Sequence, residues 1–143
     1  MKKPERVFMD TNLFLRFLTN DIPAKADAVE ELLRRAGSGQ VLLVTNGLVI
    51  AEIVWTLEGY YGLTRESVRE KILAILNTPG LEIQDAQEIL QATIWHHEKN
   101  VDFIDAYNVA WMTSRGILKI ATFDKKHFDR FPDIQATIPG NNT

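Results

Sequence analysis

Four acidic residues sit where a carboxylate needs an explanation: Asp10, Glu52, Asp105 and Asp124. Glu52 lies within Leu48-Val49-Ile50-Ala51 and Ile53-Val54-Trp55-Thr56-Leu57, a segment of helical length and apolar almost all round. Such a helix is expected to be buried, which puts Glu52 inside the protein, where an unpaired carboxylate is costly. A buried salt bridge or a neutralised glutamate accounts for it as readily as a bound metal does. Asp105 repeats the pattern among Phe103, Ile104, Ala106, Tyr107, Val109, Ala110 and Trp111. Asp102, one helical turn earlier, shares its face, and a cation would relieve the repulsion between the two. The structural alternative makes Asp102 the helix N-cap and Asp105 a first-turn acid favoured by the helix dipole. Asp10 and Asp124 each follow a short apolar run, and a turn such as Asp10-Thr11-Asn12 caps a helix more often than it catalyses.

Each acid has its own structural explanation; four together are harder to explain away. If the fold gathers them, their charge calls for a cation, and hard oxygen donors select Mg²⁺ or Mn²⁺. The chemistry such a centre supports is hydrolysis of a phosphodiester, by activating water and stabilising the leaving oxygen. Asp10 and Asp105 are expected as the main metal ligands, with Asp124 completing the set and Glu52 holding or deprotonating water. Thr11, Asn12, Asp102 and Thr122 are the residues expected to orient ligands or phosphate. Lys119, Lys125, Lys126, His127 and Arg130 bracket Asp124 and read either as phosphate contacts or as a solvated face. His96 and His97 are adjacent, not spaced for one helix face, and are assigned to surface or packing. Trp55, Trp95, Trp111 and Met112 are assigned to core or interface, not to base stacking.

The elements that must position these acids alternate along the chain. Val7-Phe8-Met9, Val41-Leu42-Leu43-Val44, Leu81-Glu82-Ile83 and Lys119-Ile120-Ala121-Thr122 have strand length and character, and a last short strand is expected near Ile134 to Ile138. Between them lie helices: Leu13 to Leu18, Ala24 to Ala36 after Pro23, Leu48 to Leu57, Arg65 to Leu76 behind a Thr64 cap, a helix through His97 opened by an Asp85/Glu88 capping box, and Phe103 to Ser114. This order predicts an α/β fold, a three-layer α/β/α sandwich around a parallel sheet of four to five strands. In such sheets ligands collect at the carboxyl ends of strands, where Asp10 and Asp124 fall.

Length and composition bound the rest. The chain has 143 residues, which fits a single domain over 1–143 with its core at about 6–131 and a short polar tail. The 45% hydrophobic and 24% charged residues are ordinary for a globular protein, so wholesale disorder is excluded. The absence of cysteine removes disulfides, thiolate metal sites and cysteine nucleophiles, and fits a reducing cytoplasm. No apolar run approaches a signal peptide or a membrane span. A net charge of −3 argues mildly against binding nucleic acid by bulk attraction, although a local basic patch is compatible with it.

The order and setting of the acids resemble the PIN domain. The matching stretches are Val7-Phe8-Met9-Asp10-Thr11-Asn12, Ile50-Ala51-Glu52-Ile53-Val54-Trp55-Thr56-Leu57, Asp102-Phe103-Ile104-Asp105-Ala106 and Ala121-Thr122-Phe123-Asp124-Lys125-Lys126, spanning roughly Arg6 to Phe131. The short length most resembles VapC-type toxins of toxin–antitoxin pairs. The resemblance implies a Mg²⁺- or Mn²⁺-dependent endoribonuclease acting on RNA, a homodimer, and inhibition by a VapB-like antitoxin. It carries the family's acids onto Asp10, Glu52, Asp105 and Asp124, and its Ser/Thr before the last acid onto Thr122. Asp129 is a weaker further acid. Asn46-Gly47 departs from the Ser/Thr and Pro of relatives and is expected to alter a helix start, not the chemistry.

Rival readings fail on particular residues. A haloacid dehalogenase-like enzyme needs a second Asp where Asn12 stands, a receiver domain needs an acidic pair where Met9-Asp10 stands, and no glycine-rich phosphate loop is present. A catalytically silent PIN-like module, and a PIN nuclease of RNA processing without an antitoxin, remain as alternatives.

Overall fold

In the computed structural model, which describes residues 3–140, the first apolar run forms β1 (Glu5–Phe8). It pairs in parallel with β2 (Val41–Thr45), Val7 opposite Leu43, and β2 pairs in parallel with β3 (Leu81–Ile83), Leu43 opposite Leu81. The strand order β1-β2-β3 makes β2 central, and its alternate residues Val41, Leu43 and Thr45 are buried. Parallel neighbours require long crossovers. These are α1 (Thr11–Thr19) and α2 (Pro23–Gly37) before β2, then α3 (Gly47–Gly59) and α4 (Arg65–Leu76) before β3. Pro23 opens α2 at the position where a missing N–H costs nothing. Thr64 caps α4 through a bond from Ser67 N of 3.1 Å. Asn46 caps α3, accepting from Val49 N at 3.2 Å. The departure noted at Asn46 is thus a working cap, since Asn serves there as well as Ser or Thr.

These elements form one compact unit ending at Ala86; a second begins at Gln87. The first unit's core holds Met9, Leu43, Ile50, Ile53, Leu57 and Ile72, all essentially inaccessible. Gly80 permits a close approach: at φ 78, a Cβ there would lie 2.2 Å from Ala36 O at the end of α2. Its carbonyl accepts from Leu43 N at 2.9 Å, which ties the start of β3 to β2.

The second unit contains α5 (Ala86–Glu98, beginning at the boundary), α6 (Phe103–Ser114), β4 (Lys119–Ala121) and β5 (Gln135–Thr137). A 3-10 turn, Lys125–Phe128, interrupts the connection between the two strands, which pair in parallel with Ile120 opposite Ala136. The α/β class and the parallel pairing match the sequence-based expectation. Among the described residues, however, the five strands are paired as a sheet of three and a sheet of two. Strands β4 and β5 are only three residues each. Asp85, just before α5, is at φ 61, and Glu88 lies 3.6 Å from Arg115 and accepts from Ser114 at 3.2 Å. His96 is buried, with Nδ1 2.7 Å from Val101 O and its ring edge-on to Phe103, so it is a packing residue.

One expectation needs correction. Helix α3 is not buried all round: Leu48 is 81% exposed, Trp55 78%, and Glu52 between them is exposed as well. Residues 48, 52 and 55 share a face through their helical spacing, whereas Val49, Ile50, Ile53, Val54 and Leu57 fill the core. A stripe of that width suffices to bury a helix on one side. Trp55 is therefore not a core residue. Trp111 is also partly exposed, with the Arg115 guanidinium 4.1 Å from its ring centroid, whereas Met112 is buried. Two residues of α3 test this assignment by equilibrium urea unfolding. Ile53→Ala should cost about 2–5 kcal/mol through a core cavity, whereas Trp55→Ala should change stability by no more than about 0.5 kcal/mol.

Candidate active site

In the first unit the site residues collect where β1 gives way to α1. Met9 is buried, its N–H donates to Val44 O at 2.8 Å, and its carbonyl accepts from Thr45 Oγ1 at 3.1 Å. With both backbone groups satisfied, the chain leaves the sheet and Asp10 emerges, exposed, as the N-cap of α1. Asp10 Oδ1 accepts from Thr11 N at 2.8 Å, which holds the carboxylate at a helix N-terminus, where negative charge is favoured. The capping alternative for Asp10 is thus realised, and it is compatible with a ligand role because a carboxylate has several lone pairs. Thr11 is buried, and its hydroxyl donates to Glu52 Oε2 at 3.0 Å, coupling α1 to α3. Glu52 was expected inside the protein; its exposure removes the desolvation argument, and what marks it now is this bond beside Asp10. Asn12 is exposed and lines a cavity of about 370 Å³ with Leu13, Arg16, Lys25, Ala28, Val29 and Leu32.

In the second unit the acids stand together with bases. Asp102 occupies the N-cap position of α6 but makes no side-chain capping bond. Instead it lines, with Asp105, a cavity of about 370 Å³ that Asn100, Val101, Lys126, His127 and Arg130 complete. Asp105 is half-buried, and its pKa is pushed up, first by burial and then by the neighbouring Asp102 charge. The His127 charge pulls the other way, and Asp124 adds a further push upward. His127 Nδ1 lies 3.4 Å from Asp105 Oδ2. Asp124, exposed, follows β4, and its backbone N–H donates to Thr122 Oγ1 at 3.0 Å, so Thr122 shapes the turn that carries it. Arg130 donates to the carbonyl of Lys99, whose ammonium returns a 3.1 Å bond to Arg130 O. This reciprocal clamp holds the loop before Asp102 against the segment after Asp124. The charge cluster around Asp124 was visible in sequence. Which of its members reach the acids was not: Lys126, His127 and Arg130 line the cavity, and Lys119 and Lys125 are not among its lining residues.

The acids supply hard oxygen donors, the type that Mg²⁺ and Mn²⁺ select. Asp105, crowded by Asp102 and Asp124, has the arrangement that a divalent cation relieves. Among the described residues, no group of three or more His, Cys, Asp or Glu side chains is placed so that it could hold a metal ion.

The PIN domain family profile matches residues 7–134. The chain belongs to the PIN domain family. No curated protein matches it. Among solved structures it is similar to VapC20 of Mycobacterium tuberculosis, described as a Sarcin-Ricin loop cleaving toxin, at 22% identity over 78% of this chain and 85% of that one, with a TM-score of 0.38. No helix among the described residues is long and apolar enough to cross a membrane.

A raised pKa at Asp105 means that the folded state holds its proton more tightly than the unfolded state. Stability is then lost as pH climbs from the ordinary carboxylate range through the raised value. Urea unfolding in EDTA across that range should show Asp105→Asn gaining on the wild type as pH rises. A difference that stays flat, or moves the other way, would contradict the assigned repulsion.

Proposed function

We propose that the chain is a metal-dependent endoribonuclease that hydrolyses RNA phosphodiester bonds with Asp10, Glu52, Asp105 and Asp124. What carries the reading is the match to the PIN domain family over residues 7–134, which contains all four acids. It is supported by the crowding of Asp105 by Asp102 and Asp124 beside a cavity with basic walls. We take the two units as parts of one PIN domain, since the match runs through both.

Asp10, Asp105 and Asp124 would hold Mg²⁺ or Mn²⁺, which when bound polarises a phosphate oxygen and lowers the pKa of water. The protein's own groups do the rest. The Thr11 hydroxyl fixes one oxygen of Glu52, leaving the carboxylate oriented to accept a proton from water. The bond from Thr11 N orients Asp10 in the same way. His127, when protonated, offsets the charge of Asp105, and Lys126 beside it in the cavity wall attracts the phosphates on either side of the cut. The motif pattern fits a VapC-type toxin, a homodimer held in check by a VapB-like antitoxin in the cytoplasm. An adjacent gene for a small DNA-binding protein would distinguish this from a PIN nuclease of RNA processing.

Purified protein incubated with RNA should cleave in Mg²⁺ or Mn²⁺ and stop in EDTA. Asp10→Asn should abolish cleavage while melting like the wild type, because Asn caps a helix as well as Asp. Cleavage surviving both treatments would sink the mechanism; no cleavage with any cation would favour a silent binding module. Separately, Lys126→Gln should weaken metal-free RNA binding and reduce the slope of log affinity against log salt by about 0.7, one phosphate contact on a single strand.

A further inference from the structure

A second cavity in the same unit adjoins the acidic one. It has a volume of about 410 Å³ and is lined by Gln91, Trp95, Lys99, Val109, Thr113, Phe131, Pro132, Asp133 and Ile134. The two cavities share a wall: Lys99 and Phe131 face this one, while their chain neighbours Asn100 and Arg130 face the other. The Lys99–Arg130 clamp forms that wall.

The lining is unlike a packing defect. Gln91, Trp95 and Lys99 recur every fourth residue, so they form one stripe along α5 and just beyond its end. A stripe meant only to close a core would be apolar; this one has a polar residue at either end of an aromatic ring. Phe131 is buried, with Trp95 edge-on to it at 5.2 Å and the Lys99 ammonium 5.6 Å from its centroid, so the half-buried Trp95 is the ring left to stack. Among the described residues, neither the Gln91 amide nor the Asp133 carboxylate has a hydrogen-bond partner. The Thr113 hydroxyl already donates to Val109 O at 2.9 Å, so towards a ligand it can only accept. Apolar walls with a few convergent polar groups are the usual make-up of a small-molecule site.

We propose that this cavity is a nucleobase subsite that holds a base of the RNA strand next to the cleaved phosphate and prefers guanine. The inference rests on the RNA reading given above. Its occupant follows from the lining: an aromatic ring to stack on, hydrogen-bonding groups at the edge, and a direct border with the cavity that takes phosphate. This is the manner in which single-stranded RNA is read. The preference follows from the acceptors. Asp133 and Thr113 offer only lone pairs, and the Watson–Crick edge of guanine presents two adjacent N–H donors, where adenine and cytosine present one amino group and uracil one imide N–H. The carboxylate accepts both donors of guanine at once, and the Gln91 amide is left to donate to its O6.

The test uses the full chain in EDTA, so that binding is read without cleavage and separately from the nuclease reading. Fluorescein-labelled UUGUU, UUAUU and UUUUU are titrated by fluorescence anisotropy. The guanine pentamer should bind about tenfold more tightly than the other two. Asp133→Asn, an exposed position, should erase that preference by bringing UUGUU down to the affinity of UUUUU. Trp95→Ala should weaken all three by about tenfold, and Trp95→Phe should restore most of the loss, which separates stacking from a folding defect. Equal wild-type affinity for the three pentamers, or a guanine preference that persists in Asp133→Asn, would overturn the proposal even if the protein cleaves RNA.

Discussion

The end of β1 is governed by the need to satisfy the backbone of a buried residue. Met9 has no access to water, so both its N–H and its C=O must be paired within the protein. Val44 O and the Thr45 hydroxyl meet that need, and both belong to the central strand β2. With Met9 pinned, the next residue is the first free to leave the sheet, and Asp10 turns the chain into α1 with its own side chain as the cap. The hydroxyl of Thr11 then reaches across to Glu52. The placing of the Asp10 carboxylate is thus a consequence of how a parallel strand ends: strand, buried anchor, carboxylate, helix.

The second unit solves a different problem, that of holding several carboxylates near one another. Asp105 is disfavoured as an anion by its burial and by Asp102 and Asp124, and the His127 charge offsets part of this. The Lys99–Arg130 clamp keeps the loop before Asp102 and the turn after Asp124 in register despite that repulsion. Such a cluster is destabilising by itself and persists because the surrounding packing (Phe103, Ala106, Phe128 and Phe131 are all buried) determines where the backbone goes. A cation near these acids would relieve that repulsion. Structure and proposed chemistry meet in that one balance of charge.

Much of the architecture was legible because local signals were strong. Pro23 at the start of α2, Thr64 before α4 and the β-branched run of β2 are each sufficient to define an element, and the observed bounds of α4, β3 and α6 coincide with those expected. The error at Glu52 has a simple origin. Hydrophobic composition reports that a helix has enough apolar surface to be buried; it does not report which stripe is used, and α3 carries more than it needs.

By itself, then, the sequence determined the α/β order of elements, the cap at Asp10, the family through the order of its four acids, and the presence of bases around Asp124. These depend on neighbours a few residues away or on motif order, which a linear reading captures. Only the tertiary structure decided that Glu52 is exposed and held by Thr11, that His127 and not Lys119 or Lys125 faces Asp105, and that Gln91, Trp95 and Asp133 border one cavity. Those facts depend on which residues distant in the chain come within a few ångströms of one another, and that is set by packing rather than by local pattern.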